Sequence, residues 1–211
     1  MRSDAVVHVV DDDVAVRQSL SFLLASDGFP VRLHESASAF LEGVKEAAAG
    51  CIVTDVRMPG IDGVEFLRRL RTRGFALPVI VMTGHADVPL AVKAMKAGAI
   101  DFLEKPFDDD LLLGAVRAAL QRQARNAQHD AQAVELQSRI RFLSERELQV
   151  LEGLVAGKAN KVIAHDLGIS PRTVEIYRAN VMSKMQAGSL SELVRMALLA
   201  EQRPNASPQS P

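Results

Sequence analysis

Val6-Val7-His8-Val9-Val10 runs directly into Asp11-Asp12-Asp13. Four valines around one histidine read as a buried strand, and the acidic cluster sits at its carboxyl end. Outward from there the pattern repeats. Val14 to Ser26 places Val16, Leu20, Leu23 and Leu24 at helical spacing. Val31 to His34 is a weaker strand, and Ser38 to Glu46 a short helix. Cys51-Ile52-Val53-Thr54 is a second buried strand ending at Asp55, followed by a helix from Gly63 to Arg71. Pro78 to Met82 is a third strong strand, Asp87 to Ala97 a helix, and Ile100 to Leu103 a short strand. A helix from Asp110 to about Ala124 closes the series, and Asp108, Asp109 and Asp110 suit its positive N-terminal end. Strands that alternate with helices in this way predict an α/β doubly wound, parallel five-stranded sheet covered on both faces. In such a sheet, sites form beyond the carboxyl ends of the strands.

The bulk numbers fit that reading. The chain has 211 residues, 48% hydrophobic and 24% charged, enough to bury a core in one or two domains. No apolar run approaches the roughly 20 residues of a membrane helix, and the N-terminus is a poor signal peptide. Cys51 is the one cysteine, which excludes an intrachain disulfide and a cysteine metal site. A cytoplasmic protein without a membrane partner is expected. The net charge of −1 is unevenly spread. Residues 1–121 carry 13 Lys/Arg against 17 Asp/Glu, and residues 122–211 carry 12 against 9. An acidic half followed by a basic half suggests two domains with different partners.

Several polar residues fall at strand ends. Asp11 and Asp12 follow the first strand, Asp55 the third, Thr83 the fourth and Lys105 the fifth. Converging carboxylates repel one another and need a cation to stay ionised. Hard oxygens suit Mg²⁺, which takes one or two carboxylates plus waters and a phosphate. A hydroxyl and an ammonium at the same edge would suit a phosphoryl group on Asp55. One aspartate at a strand end more often caps a helix, and Asp13 is read that way.

Beyond residue 121 the pattern changes. Residues 122–141 are rich in Ala, Gln and Arg with no Gly or Pro, and read as a polar, partly helical linker, taken as 122–137. An all-α, four-helix segment follows. Ser144 and Glu147 form a capping box, Gly157 ends the first helix, and Asn160 to Leu167 is the second. Gly168-Ile169-Ser170-Pro171 makes a tight turn into a helix from Pro171 to about Gln186, and Leu190 to about Gln202 is the last. This is the layout of a helix-turn-helix. Val174, Tyr177, Val181 and Met185 should face the core, which leaves Arg172, Glu175, Ile176 and Ala179 outward with Arg178 and Lys184 flanking. Glu could accept from a cytosine amine and Ile could touch a thymine methyl, with Arg and Lys on phosphates. Lys158 and Lys161 could help there. The tail 203–211 is rich in Pro, Ser, Asn and Gln and is expected to be disordered.

These residues carry two resemblances. Residues 4–121 resemble the receiver domain of bacterial two-component response regulators, through Asp11-Asp12, Asp55 with Met58-Pro59-Gly60, Thr83-Gly84 and Lys105-Pro106-Phe107. The resemblance implies a flavodoxin-like fold with strand order 2-1-3-4-5 and Asp55 as the phosphorylation site, supplied by a sensor histidine kinase. It implies Mg²⁺ on Asp11, Asp12, Asp55 and the Arg57 backbone carbonyl. It also implies a cis peptide before Pro106 and a switch pair of Thr83 and Phe102. Residues 138–202 resemble the LuxR-type DNA-binding domain, through Leu143-Ser144-Glu145-Arg146-Glu147, Gly157 to Lys161 and Ile169 to Glu175. That implies base contacts near Glu175, Ile176 and Ala179, and backbone contacts at Lys161, Thr173 and Lys184, with Arg172 and Arg178 beside them. Both halves are most similar to the FixJ subgroup of the NarL/FixJ regulators, with Thr83 to Pro89 and Ser170 to Glu175 as the sharpest pointers.

The expectation is a transcription factor, not an enzyme. Phosphorylated on Asp55, it would homodimerise, bind promoter double-stranded DNA and act as an activator with RNA polymerase. One alternative is an Mg²⁺-dependent aspartyl-phosphate phosphatase, although such enzymes usually carry a second Asp where Arg57 stands. Another is a DNA binder that no longer uses phosphate.

Overall fold

The computed structural model describes residues 5–44, 49–84 and 88–201. The expected helix start at Asp87, the helix end at Lys45 and Glu46, the run from His85 to Asp87, and Gln202 with the 203–211 tail lie outside these residues. The chain forms two compact units that divide between Asn126 and Ala127.

In the first unit the order is β1 (Val6–Val10), α1 (Val14–Ser26), β2 (Val31–His34), α2 (Ala37–Gly43), β3 (Gly50–Asp55), α3 (Gly63–Thr72), β4 (Val79–Gly84), α4 (Val88–Lys96), β5 (Asp101–Lys105) and the start of α5 (Asp109–Arg141). All strand pairs are parallel and the sheet order is β2-β1-β3-β4-β5. β3 is buried along its whole length, as a central parallel strand covered on both faces must be. Its alternate side chains feed two cores. Ile52 packs with Phe40, Phe66, Leu67 and Leu70 under α2 and α3, and Cys51 and Val53 pack with Leu20, Leu24, Leu112 and Val116 under α1 and α5. The turns that close these layers follow local chemistry. Asp13 caps α1 by accepting from Ala15 and Val16, and Asp62 caps α3 by accepting from Glu65.

The second unit holds α6 (Glu145–Val155), α7 (Asn160–Leu167), α8 (Pro171–Met185) and α9 (Leu190–Glu201). The Ser144–Glu147 capping box is formed in both directions. Gly168 ends α7 in the left-handed region at φ 65°, and Ser170 caps α8 with Pro171 in its first turn. Val150, Leu154, Ile163, Val174, Val181, Met185 and Leu193 make one core.

The segment 122–137, expected as a polar and partly helical linker, is helical throughout. α5 continues through it to Arg141. Ala, Gln and Arg are strong helix formers, and nothing interrupts them. Ala133 and Leu136 are buried at 5% and 3% exposure, and Leu136 and Ile140 pack in the core of the second unit. Few large apolar residues are enough here because Ala133, Leu136 and Ile140 fall on one helical stripe.

Candidate functional site

The carboxyl edge of the sheet gathers Asp11 from the end of β1, Asp55 from β3 and Lys105 from β5. Lys105 Nζ donates to Asp11 Oδ2 at 3.0 Å and to Asp55 Oδ1 at 2.8 Å. Asp11 and Asp55 are buried at 2% and 8% exposure, and the Lys105 ammonium offsets one of their two negative charges. Burial opposes the charge on Lys105, but its hydrogen bonds to Asp55 and Asp11 outweigh that and hold its pKa above the ordinary lysine value.

The remaining carboxylate oxygens are also held. Asp55 Oδ2 accepts from the Arg57 N–H at 2.7 Å, and Asp11 Oδ1 accepts from the Asp13 N–H at 2.9 Å. The Lys105–Pro106 peptide is cis. Thr83 is buried at the end of β4 and donates to the Gly84 carbonyl at 3.2 Å. Phe102 on β5 pairs with Val81, two residues before Thr83, so Thr83 and Phe102 share a sheet face. Phe102 is 42% exposed.

Asp12 lies exposed beside this cluster. Among the described residues no three His, Cys, Asp or Glu side chains converge tightly enough to grip a metal alone. The hard carboxylate oxygens of Asp11 and Asp55, with Asp12 beside them, are donors of the kind that suit Mg²⁺ completed by water and phosphate oxygens.

Two positioning residues carried no signal in the linear pattern. Arg17, one turn into α1, donates to the carbonyls of Asp11 and Asp12 at 2.7 and 3.0 Å and so holds the acidic loop. Gly63, at the start of α3, lies so close to Asp55 that a Cβ would sit 2.7 Å from the Asp55 carbonyl oxygen. Each depends on a backbone approach that only the fold creates.

In the second unit α8 presents Arg172, Glu175, Ile176 and Ala179 on its exposed side, with Ile176 57% exposed. Val174, Val181 and Met185 are fully buried and Tyr177 partly so, as the spacing predicts. Lys161 is exposed at the start of α7, and Arg178 and Thr173 are half-buried. Thr173 Oγ1 lies 2.8 Å from Ser170 Oγ. Two lysines have partners within the unit. Lys158 pairs with Asp166 at 2.8 Å, and Lys184 Nζ lies 2.6 Å from Glu147 Oε2. Lys184, expected to meet the DNA backbone, is engaged here by a buried carboxylate.

Among the described residues no helix is long and apolar enough to cross a membrane. Residues 7–117 match the response regulator receiver domain, and residues 141–197 match the bacterial regulatory proteins of the luxR family. The chain is 64% identical to the transcriptional regulatory protein FixJ of Azorhizobium caulinodans, over 92% of each chain. It is 53% identical to FixJ of Bradyrhizobium diazoefficiens, over 95% of this chain and 98% of that one. Among solved structures it is similar to full-length FixJ from B. japonicum, with 52% identity, TM-score 0.60 and coverage of 96% and 100%. The response regulator StyR is similar at 42% identity, TM-score 0.76 and coverage of 93% and 99%. The receiver match falls in the first unit and the luxR-family match in the second, and the chain belongs to the FixJ-like response regulators, phosphorylation-dependent transcription factors that join a receiver to a LuxR-type DNA-binding domain.

Proposed function

We propose that Asp55 is the phosphoacceptor and that its modification raises the affinity of the helix-turn-helix for promoter DNA. The observation that carries this is Lys105 bridging Asp11 and Asp55. Asp55 attacks the phosphorus of a donor phosphohistidine. A carboxylate O–P bond forms, the N–P bond of the donor breaks, and the freed imidazole leaves with the bonding pair. Lys105 then has phosphoryl oxygens to neutralise in place of a bare carboxylate. Mg²⁺, held by Asp11, Asp12, Asp55 and the Arg57 carbonyl, would neutralise charge on the transferring phosphoryl oxygens. A groove of about 490 Å³ beside Lys105, lined by Val16, Leu20, Leu23, Pro106 and Phe107, suits the approach of the sensor kinase.

The output follows from the same edge. Thr83 moves toward the phosphoryl oxygens and Phe102 turns inward behind it. That reshapes a face on which Val92 and Met95 of α4 and Phe102 of β5 are exposed apolar residues. Receivers pair through this face into a homodimer, which places two α8 helices on half-sites about one DNA turn apart. Arg172, Glu175, Ile176 and Ala179 read bases, and Lys161, Thr173 and Arg178 meet phosphates. The protein works in the cytoplasm as an activator that engages RNA polymerase. It turns over no external phosphoester, because position 57 holds Arg where aspartyl-phosphate phosphatases usually carry their second Asp.

The test is DNA binding of the full chain with and without a small phosphodonor, at fixed salt because phosphate contacts make affinity salt-dependent. Stimulation in the wild type that Asp55→Asn abolishes supports the reading. Equal stimulation of both proteins would sink it.

A further inference from the structure

α8 ends at Met185, where Gln186 takes the left-handed conformation at φ 57°. The last carbonyls of any helix lack intrahelical donors. Here Arg139, near the end of α5, donates from one guanidinium nitrogen to the Met185 carbonyl oxygen at 2.9 Å. The other terminal nitrogen is 2.6 Å from Glu135 Oε1 one turn back, which fixes the fork. A guanidinium is well matched to this end of a helix, because the macrodipole there is negative.

The neighbouring residue is held from a second side. Lys184 Nζ donates to Glu147 Oε2 at 2.6 Å and to the Phe142 carbonyl at 3.4 Å. Glu147 is 4% exposed and also accepts from the Ser144 N–H at 2.7 Å. The hydrogen bond from Lys184, then that from Ser144, pull its carboxyl below the usual glutamate range. Nothing comparable is needed at the other end of α8, where Ser170 supplies an ordinary cap.

We propose that Arg139 and the Glu147–Lys184 pair are positioning residues for base reading: they clamp the C-terminal turn of α8 and so set the angle at which Glu175, Ile176 and Ala179 meet the groove. Lys184 acts through Glu147 and is not a phosphate contact. The segment 127–141 is then a working part of the DNA reader. This rests on α8 being the recognition helix. A helix pinned at its far end pivots less, and small tilts change base-edge distances while leaving loose phosphate contacts intact.

The experiment uses the full chain treated with a small phosphodonor. A duplex enriched from a random pool by the wild-type protein is compared with a scrambled duplex of equal composition, across a salt series. Arg139→Ala, Glu147→Gln and Lys184→Met are each expected to lower the ratio of enriched to scrambled affinity about fivefold, the size of one ordinary hydrogen bond. The slope of affinity against salt stays unchanged. Arg139→Lys restores part of the ratio, since an ammonium still reaches a carbonyl. Arg139→Gln replaces Arg139→Ala if thermal unfolding shows that the alanine variant does not fold.

Equal losses on both duplexes, with the ratio intact, would show a purely structural role and overturn the proposal. So would a Lys184→Met variant whose salt slope drops by about one, the signature of a lost phosphate contact. If the wild type enriches no duplex, the DNA-reading assignment of α8 falls and the clamp falls with it. If it enriches one and the ratios do not move, the clamp alone is wrong.

Discussion

The two ends of this protein work by opposite electrostatics. At the sheet edge, Asp11 and Asp55 are buried, few in number, and share one ammonium at hydrogen-bond distance. On α8, Arg172, Glu175, Ile176 and Ala179 are exposed. A buried charge cluster responds sharply to one added group, because little water is there to screen it. An exposed reading face adds up many small terms, each competing with solvent. A switch needs the first arrangement and a sequence reader the second.

The contrast can be broken most directly at Asp55. Asp55→Asn should remove the whole phosphodonor response in a DNA-binding titration, while basal binding stays near the wild-type value. A partial loss would mean that the acidic edge is not the single point of control.

A second measurement compares burial across the two units. His8 is 3% exposed, with its Nδ1 3.0 Å from His34 Nε2 and Phe40 packed edge-on against it. Burial, then the nearby charges of His34 and Arg32, pull its pKa down from 6.5 to about 4. The folded state thus prefers the neutral ring. This contribution is full above pH 6.5 and is lost as the pH falls through about 4. It amounts to at most about 3 kcal/mol. The receiver should therefore lose stability across that window in thermal unfolding, and His8→Asn should flatten the loss. In the second unit the His165 side chain is 90% exposed, and His165→Asn should change thermal stability at neutral pH by no more than about 0.5 kcal/mol.

Effects on the reading face should be smaller. Glu175→Ala is expected to cost about 1–3 kcal/mol at one base position and to relax the preference there. Competition among duplexes varied at single positions would show it, and a uniform loss across all positions would contradict the assignment. Smallest of all, Lys161→Gln should reduce the salt slope by about one with no change in base preference.

Much of this was legible in order along the chain. Asp11, Asp55, Thr83 and Lys105 could be placed together because a parallel sheet brings every strand's carboxyl end to one edge, whatever the side chains in between. The capping box at Ser144 and Glu147, the Gly168 turn and the inward Val174, Val181 and Met185 follow from local rules of the same kind. The helical continuation through 122–137 was less legible. A polar, alanine-rich stretch has the composition of a linker and of a helix alike, and only packing on Leu136 and Ile140 separates the two.

By itself, then, the amino-acid sequence determined the periodicities, the caps and the succession of strands and helices along the chain, because these depend on neighbours within a few residues. Tertiary structure alone decided that Lys105 spans Asp11 and Asp55, that Gly63 lies against Asp55 while Arg17 holds the Asp11–Asp12 carbonyls, and that Lys184 turns to Glu147. Those contacts join residues 94 and 37 positions apart in two cases. No local preference specifies such distances. They exist only once the sheet and the helical core have brought the backbones together.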